Sequence, residues 1–304
     1  MIALNEMQEK IKSLKKEKNA VILSHFYQTM EVQQIADYVG DSFELSKISK
    51  ASVENTIVFC GVKFMAESAK LLSPHKKILL PEYNAGCPMA DMVNPEMIKD
   101  LKQQYPNAAV VCYVNSSAET KAECDICCTS SNAIKIVKSL AQDEIIFVPD
   151  KNLGSYVSQF ATDKKFIYID GYCPIHAAVT ADDIKAKKAE YPDAKCAIHP
   201  ECEAEVLKFA DFIGSTSEIL KYCIESKDAE FIIGTEYAIV ERLRFYYPEK
   251  KYYALTPNFM CPNMKKTTLE SIYNSLLNEE TVIELPPEII SKANIPLEKM
   301  LAVK

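Results

Sequence analysis

The chain repeats itself at about a third of its length. A shift of 88 residues lays "NAVILSHFYQ" (19–28) on "NAAVVCYVNS" (107–116) and "NTIVFCGVK" (55–63) on "DEIIFVPDK" (143–151). A further shift of 86 reaches "DAKCAIHPEC" (193–202) and "AEFIIGTEY" (229–237). Tyr105-Pro106 and Tyr191-Pro192 mark the same seam, and Lys-Lys pairs at 76–77, 164–165 and 250–251 each precede an apolar run. A period of this kind constrains architecture before any motif does. Each unit opens on an apolar, β-branched run that reads as a buried parallel strand. A helix follows, then a second strand (56–60, 144–148, 230–234), another helix, and a third strand that ends near a Cys-Pro pair. Strands alternating with helices give βαβ units and a parallel sheet. The expected fold is α/β: three homologous αβα modules with small parallel sheets, arranged with pseudo-threefold symmetry around a central cavity. A linear array is the alternative, but three such modules lack terminal caps. The expected modules are 1–86 with the C-terminal 265–304, then 87–171, then 172–264. Helix starts are expected at Thr180 and Thr267, which have capping-box spacing to Asp183 and Glu270.

Bulk composition excludes several classes of function. Asp and Glu total 42 against 35 Lys and Arg, a net charge of −7, which offers no footprint for nucleic acid or an anionic membrane. No apolar run approaches the roughly 18 residues of a spanning helix. The N-terminal "MIALNEMQEKIKSLKKEKN" reads as a charged amphipathic helix without a signal-peptide core, so the expected location is cytoplasmic. Eleven cysteines, an odd number, argue against a complete disulfide framework and for a reducing compartment. Seven glycines occur and none forms a GxGxxG or P-loop pattern.

In parallel α/β sheets, ligands gather at the carboxyl ends of the strands, and every landmark shared by the repeats lies at such an end. His25, Tyr113 and His199 are equivalent, as are Tyr27, Asn115 and Glu201 two residues further on, and Ser42, Ser130 and Thr216. The Cys-Pro pairs at Cys87, Cys173 and Cys261 are spaced by 86 and 88 residues. Three cysteines from three modules cannot form a local zinc knuckle, which uses CxxC pairs. Their convergence would supply three thiolates to one centre, suited to zinc or an iron–sulfur cluster. A cubane cluster so held leaves one iron open as a Lewis acid. Gly86 would let its loop approach closely, and Pro88 would stiffen the exit.

The hydroxyl ring of Ser42, Ser130 and Thr216 stands where helices should begin, either as N-caps or as part of an anion site. His75 reads as a surface residue. His176 follows Cys173 where the other modules carry Ala90 and Met264, which makes it a candidate substrate contact. Glu201 is the ring's only carboxylate and, with a raised pKa, the preferred general acid or base. "CDICC" (124–128) has no matching pair elsewhere and reads as non-ligand, with a Cys124–Cys127 disulfide possible under oxidation. Cys60, Cys112, Cys196, Cys202 and Cys223 read as packing residues.

"SHFYQ", "GDSFELS", "CGVKFMAESAK", "AGCPMAD", "YVNSSAE", "CCTSSNA", "GYCPIH", "HPEC", "GSTSE", "GTE" and "CPNMKK" together resemble the quinolinate synthase family, the A protein of bacterial and archaeal NAD biosynthesis. The resemblance runs from about residue 20 to 270 in order and spacing. It implies three αβα modules around a central [4Fe-4S] cluster with three cysteine ligands and one open iron site. It also implies an oxygen-sensitive transferase that condenses iminoaspartate with dihydroxyacetone phosphate, releasing phosphate and water to give quinolinate. L-aspartate oxidase would be the functional partner supplying iminoaspartate. The ligands carry over to Cys87, Cys173 and Cys261. Substrate binding carries over to His25, Ser42, Tyr113, Asn115, Ser130, His199 and Thr216, and catalysis to Glu201, Tyr27 and His176. The C-terminal CxxCxxC run of some members is missing here. The competing classes are a non-catalytic iron–sulfur carrier and a hydro-lyase using the same open iron.

Overall fold

The computed structural model describes residues 5–303. Residues 1–4 of the expected N-terminal helix lie outside them. The helix itself runs Glu6–Glu17, opened by a capping box between Asn5 and Gln8. It buries the Gln8, Ile11 and Leu14 stripe that its spacing predicts.

Among the described residues, twelve strands form three four-stranded sheets. The first holds β1 (Ala20–His25), β2 (Tyr38–Gly40), β3 (Thr56–Cys60) and β4 (Lys77–Leu79). The second holds β5 (Ala109–Tyr113), β6 (Ile126–Cys128), β7 (Glu144–Val148) and β8 (Lys165–Tyr168). The third holds β9 (Lys195–Ile198), β10 (Phe212–Ile213), β11 (Glu230–Gly234) and β12 (Lys251–Ala254). The strand orders, β2-β1-β3-β4, β6-β5-β7-β8 and β10-β9-β11-β12, are the same topology three times. All named pairings are parallel. The central strands β1 and β3 are buried at every residue, as expected for sheets covered by helices on both faces. The short edge strands β2, β6 and β10 have no counterpart in the expected three-strand unit. Two or three residues long, they carry too little apolar sequence to register as strands.

The Lys-Lys pairs have one structural role, performed three times. Lys76 donates to the carbonyls of Ser49 and Ser52, at the end of the helix Ser42–Ala51. Lys164 donates to Leu140 and Gln142 at 2.8 and 2.9 Å, just past the helix Ala133–Ser139. Lys250 donates to Cys223, Ile224 and Ser226 at 2.7, 3.1 and 2.6 Å, closing the helix Thr216–Glu225. A cation there satisfies orphan carbonyls and opposes the helix dipole. Toward the opposite edge of each sheet, Asp37, Asp125 and Asp211 each accept the amide of a residue in β1, β5 or β9 at 2.8 Å. They pair with Lys15, Lys102 and Lys188 of the preceding helix at 2.5, 3.4 and 3.4 Å.

The differing offsets also have a structural cause. From the second lysine of each pair to its Cys-Pro cysteine there are ten, eight and ten positions. The loop of the second module is the short one. There Gly171 passes so close to Pro149 that a Cβ would collide with its carbonyl oxygen, and only glycine fits. Thr180 starts its helix with a capping box to Asp183, as expected. Thr267 does not: Thr268 caps the helix Leu269–Asn278 with Ser271, and Thr267 is buried one residue earlier. The C-terminal helix Pro287–Ala302 packs on the helices Lys63–Leu72 and Ala118–Ala122 and on β6, bracing the first sheet against the second.

Replacing Lys250 by Met should cost about 2 kcal/mol, because three carbonyls lose a charged donor. Urea unfolding of the metal-free protein checks this, and Lys76→Met, the most buried of the three, should cost at least as much.

Candidate active site

His25 closes β1 and Tyr113 closes β5, while His199 follows β9 directly. The parallel topology thus delivers one ring-bearing side chain per module to the same edge. His25 Nδ1 accepts the amide of Tyr27 at 3.1 Å, and His199 Nδ1 accepts that of Glu201 at 3.3 Å. A backbone amide can only donate, so both rings are neutral with the proton on Nε2. Burial pushes both pKa values down, to about 3 for His25, where Lys265 adds to the effect, and to about 4 for His199. The free Nε2–H of His199 lies 3.3 Å from Ser130 Oγ, across the module boundary.

The three hydroxyls are not N-caps. Asp41 caps the helix that begins at Ser42, accepting the amides of Phe43 and Glu44. Ser215 caps the one that begins at Thr216, and Ser130 lies ahead of Asn132, which holds the cap position of Ala133–Ser139. With a neighbour in the cap position, Ser42, Ser130 and Thr216 keep their hydroxyls for the cavity, although Asn132 makes no side-chain cap bond. Thr216 Oγ1 is 2.9 Å from Tyr27 Oη, which is 2.8 Å from Thr235 Oγ1.

Glu201 is 4% exposed. Tyr113 Oη donates to its Oε1 at 2.7 Å, and His176 Nδ1 lies 2.8 Å from its Oε2. Its pKa is not raised as the sequence suggested. Burial pushes it up, but His176 and the hydrogen bonds from His176 and Tyr113 outweigh that and hold it at about 2. Glu201 therefore stands as a carboxylate, a base rather than an acid at rest. From it a continuous chain of contacts runs through His176, whose Nε2 is 3.1 Å from Thr235 Oγ1, to Tyr27 and Thr216.

Cys87, Cys173 and Cys261 line the same cavity of about 260 Å³, together with all ten of the polar and aromatic residues singled out above. The cysteine side is walled by Val62, Phe64, Met65, Met89, Ile175 and Met264 and by the three prolines of the Cys-Pro pairs. Burial raises all three thiol pKa values, that of Cys87 to about 12. Thiolates there call for a compensating positive charge, as a metal centre supplies. No protein atom lies within 4 Å of where a Cβ on Gly86 would stand, so the chain itself does not demand a glycine for close packing there. The side-chain oxygen of Asn115 is buried without a partner, an acceptor available to a ligand. These features fit a cofactor of the three-thiolate kind. A second donor set, Cys173, His176 and Glu201, has its ligand atoms within 4.8 Å of one another, and could hold a single metal ion.

Among the described residues no Lys or Arg lines the cavity. The "CDICC" cysteines lie elsewhere: Cys127 and Cys128 belong to β6, and Cys127 faces Cys112 of β5 in register. All eleven cysteines are free thiols. Sequence reasoning missed Thr235, the link between His176 and Tyr27, because "GTE" is too short to weigh alone. It also missed Asp150 and Glu236, although their spacing of 86 residues was readable from the repeat.

The neutral histidines make stability depend on pH. Between about 4 and 6.5 the unfolded chain binds protons that folded His25 and His199 refuse, so stability should fall as pH drops through that window. Urea midpoints of metal-free protein across this range should flatten in His25→Gln and His199→Gln; an unchanged slope in both would refute the neutral state.

Comparison with known proteins agrees with this architecture. The family model described as quinolinate synthetase A protein matches residues 9–302. The chain is 51% identical over 295 residues to a quinolinate synthase of Caldicellulosiruptor bescii, covering 97% of each chain. It is 52% identical over 295 residues to quinolinate synthase 2 of Methanosarcina acetivorans, covering 97% of this chain and 95% of the relative. It is 51% identical over 288 residues to a quinolinate synthase of Clostridioides difficile, covering 95% of each. Matched across nearly its whole length, the chain belongs to the quinolinate synthetase A protein family.

Proposed function

We propose that the cavity condenses iminoaspartate with dihydroxyacetone phosphate, losing phosphate and water to form quinolinate, a transferase reaction of NAD biosynthesis. The observation that carries this reading is the convergence of equivalent cysteines from three modules on one cavity that also holds a buried Glu–His–Thr–Tyr chain. Cys87, Cys173 and Cys261 would hold a [4Fe-4S] cluster with one iron open. When bound, that group supplies Lewis-acid polarisation of a substrate oxygen or nitrogen and eases loss of water.

The remaining work falls to this chain's own side chains. Ser42, Ser130, Thr216 and Asn115, with the Nε2–H groups of His25 and His199, offer neutral donors and acceptors to carboxylate and phosphate oxygens. Tyr113 orients Glu201 and shields it from water. Glu201, as the resting carboxylate, accepts a proton, and His176 passes protons between it and Thr235. Tyr27 is the terminal donor, held by two threonine hydroxyls. The apolar wall excludes water that would hydrolyse an imine. Iminoaspartate is itself prone to hydrolysis, which favours supply by a partner enzyme such as L-aspartate oxidase. The reading also favours action on soluble small molecules in the cytoplasm; among the described residues no helix is long and apolar enough to cross a membrane.

Anaerobic reconstitution with iron and sulfide, followed by an assay with both substrates, tests this function. Quinolinate should form, and an iron-loaded protein without turnover would favour a carrier. Turnover of a hydroxy acid alone would favour a hydro-lyase. Alanine at Cys87, Cys173 or Cys261 singly should abolish stable four-iron loading, and an intact cluster in any one of them would refute the ligand set. Glu201→Gln should keep wild-type iron content while losing at least about 100-fold in kcat, as expected for loss of a general base.

A further inference from the structure

In the second and third modules the cysteine loop meets a buried carboxylate. Glu236, fully buried just past β11, accepts the Cys261 amide on Oε1 at 3.2 Å and the Ala238 amide on Oε2 at 2.7 Å. Lys265 Nζ lies 2.9 Å from the same Oε1 and donates to the Tyr27 carbonyl at 2.6 Å. One carboxylate therefore joins the start of the helix Ala238–Tyr246, the Cys261 loop and, through Lys265, the backbone of the first module.

Asp150 occupies the same register position 86 residues earlier. It is fully buried, and its Oδ1 accepts the Leu153 amide at 2.8 Å, capping the helix Lys151–Ser158. Its Oδ2 has no hydrogen-bond partner, and the loop of Cys173 reaches Asp150 only through the parallel backbone bridge between Asp150 and Gly171. In the first module this position is Val62, which heads the helix Lys63–Leu72 without any side-chain cap. The backbone tie that draws each loop to its strand end is common to all three. Lys63 donates to Ala85 at 2.8 Å, Lys151 to Gly171 at 2.8 Å and Tyr237 to Phe259 at 2.6 Å. Only the acid differs. Helix capping alone would need no acidic side chain without access to water, since Ser, Thr or Asn suffices at lower desolvation cost.

We propose that Glu236 is a positioning residue for Cys261, and that Cys87 sits on a ligand loop for which the equivalent position, Val62, offers no side chain to hold its amide. The proposal deepens the cluster reading above and rests on it for the ligand role of the cysteines. The Cys261 loop would be preset before loading, and the Cys87 loop would be fixed only on loading.

Hydrogen exchange at single-amide resolution on the metal-free wild-type chain tests the anchoring without any variant. The Cys261 amide should exchange at least about tenfold more slowly than that of Cys87, the equivalent of one modest hydrogen bond. Equal rates would overturn the proposal. Glu236→Ala should speed exchange at Cys261 and leave Cys173 unchanged. Glu236→Gln, whose amide oxygen still accepts, should restore most of the protection. After reconstitution, a chelator should strip iron several-fold faster from Glu236→Ala than from the wild type or Glu236→Gln, and wild-type kinetics in Glu236→Ala would also overturn the proposal. A wild-type chain that protects Cys261 yet binds no iron would uphold the anchor and remove the ligand reading instead.

Discussion

A carboxylate with almost no access to water fixes how the modules meet. Burying an ion without partners costs several kcal/mol, and the charge of Glu201 is tolerable only because donors from different parts of the chain converge on it. Tyr113 comes from the end of β5, His176 from the turn after Cys173, and Asn152 of the second module holds the Glu201 carbonyl at 3.1 Å. Displacing either module would strand the charge. Tyr27 does the same for the first module, reaching across to Thr216 and Thr235 of the third. The centre of the molecule is thus closed by polar contacts. Farther out, one apolar core runs continuously from the first sheet into the second, and separate cores lie on the two faces of the third.

Repetition supplies the frame and its breaches supply the chemistry. Lysine caps, aspartate latches and strand order recur in all three modules, so they serve folding. Several of the positions that differ between modules face the cavity or hold its walls. Tyr27, Asn115 and Glu201 share one register yet offer a phenol, an amide and a carboxylate. Ala90, His176 and Met264 share another, and only the second puts a titratable ring beside Glu201. Val62, Asp150 and Glu236 share a third.

Much of this was legible in the sequence because a parallel sheet translates register into place. Equal offsets between apolar runs fixed the central strands, and strand ends named the cavity residues. Other features depend on contacts that no offset encodes. The depressed pKa of Glu201 comes from His176, 25 residues away in sequence, and from Tyr113, 88 residues away. The hydroxyl ring looked like caps because Asp41 and Ser215 stand one residue before Ser42 and Thr216, and spacing alone cannot decide which neighbour bonds the helix. The edge strands β2, β6 and β10 owe their existence to a partner strand rather than to their own composition.

Among the described residues no lysine or arginine lines the cavity, so an anion held there meets no cationic side chain of the wall. Selection would then rest on fit to hydroxyls, imidazoles and one asparagine oxygen rather than on charge. An anionic product would leave with no cation of the cavity wall to release it.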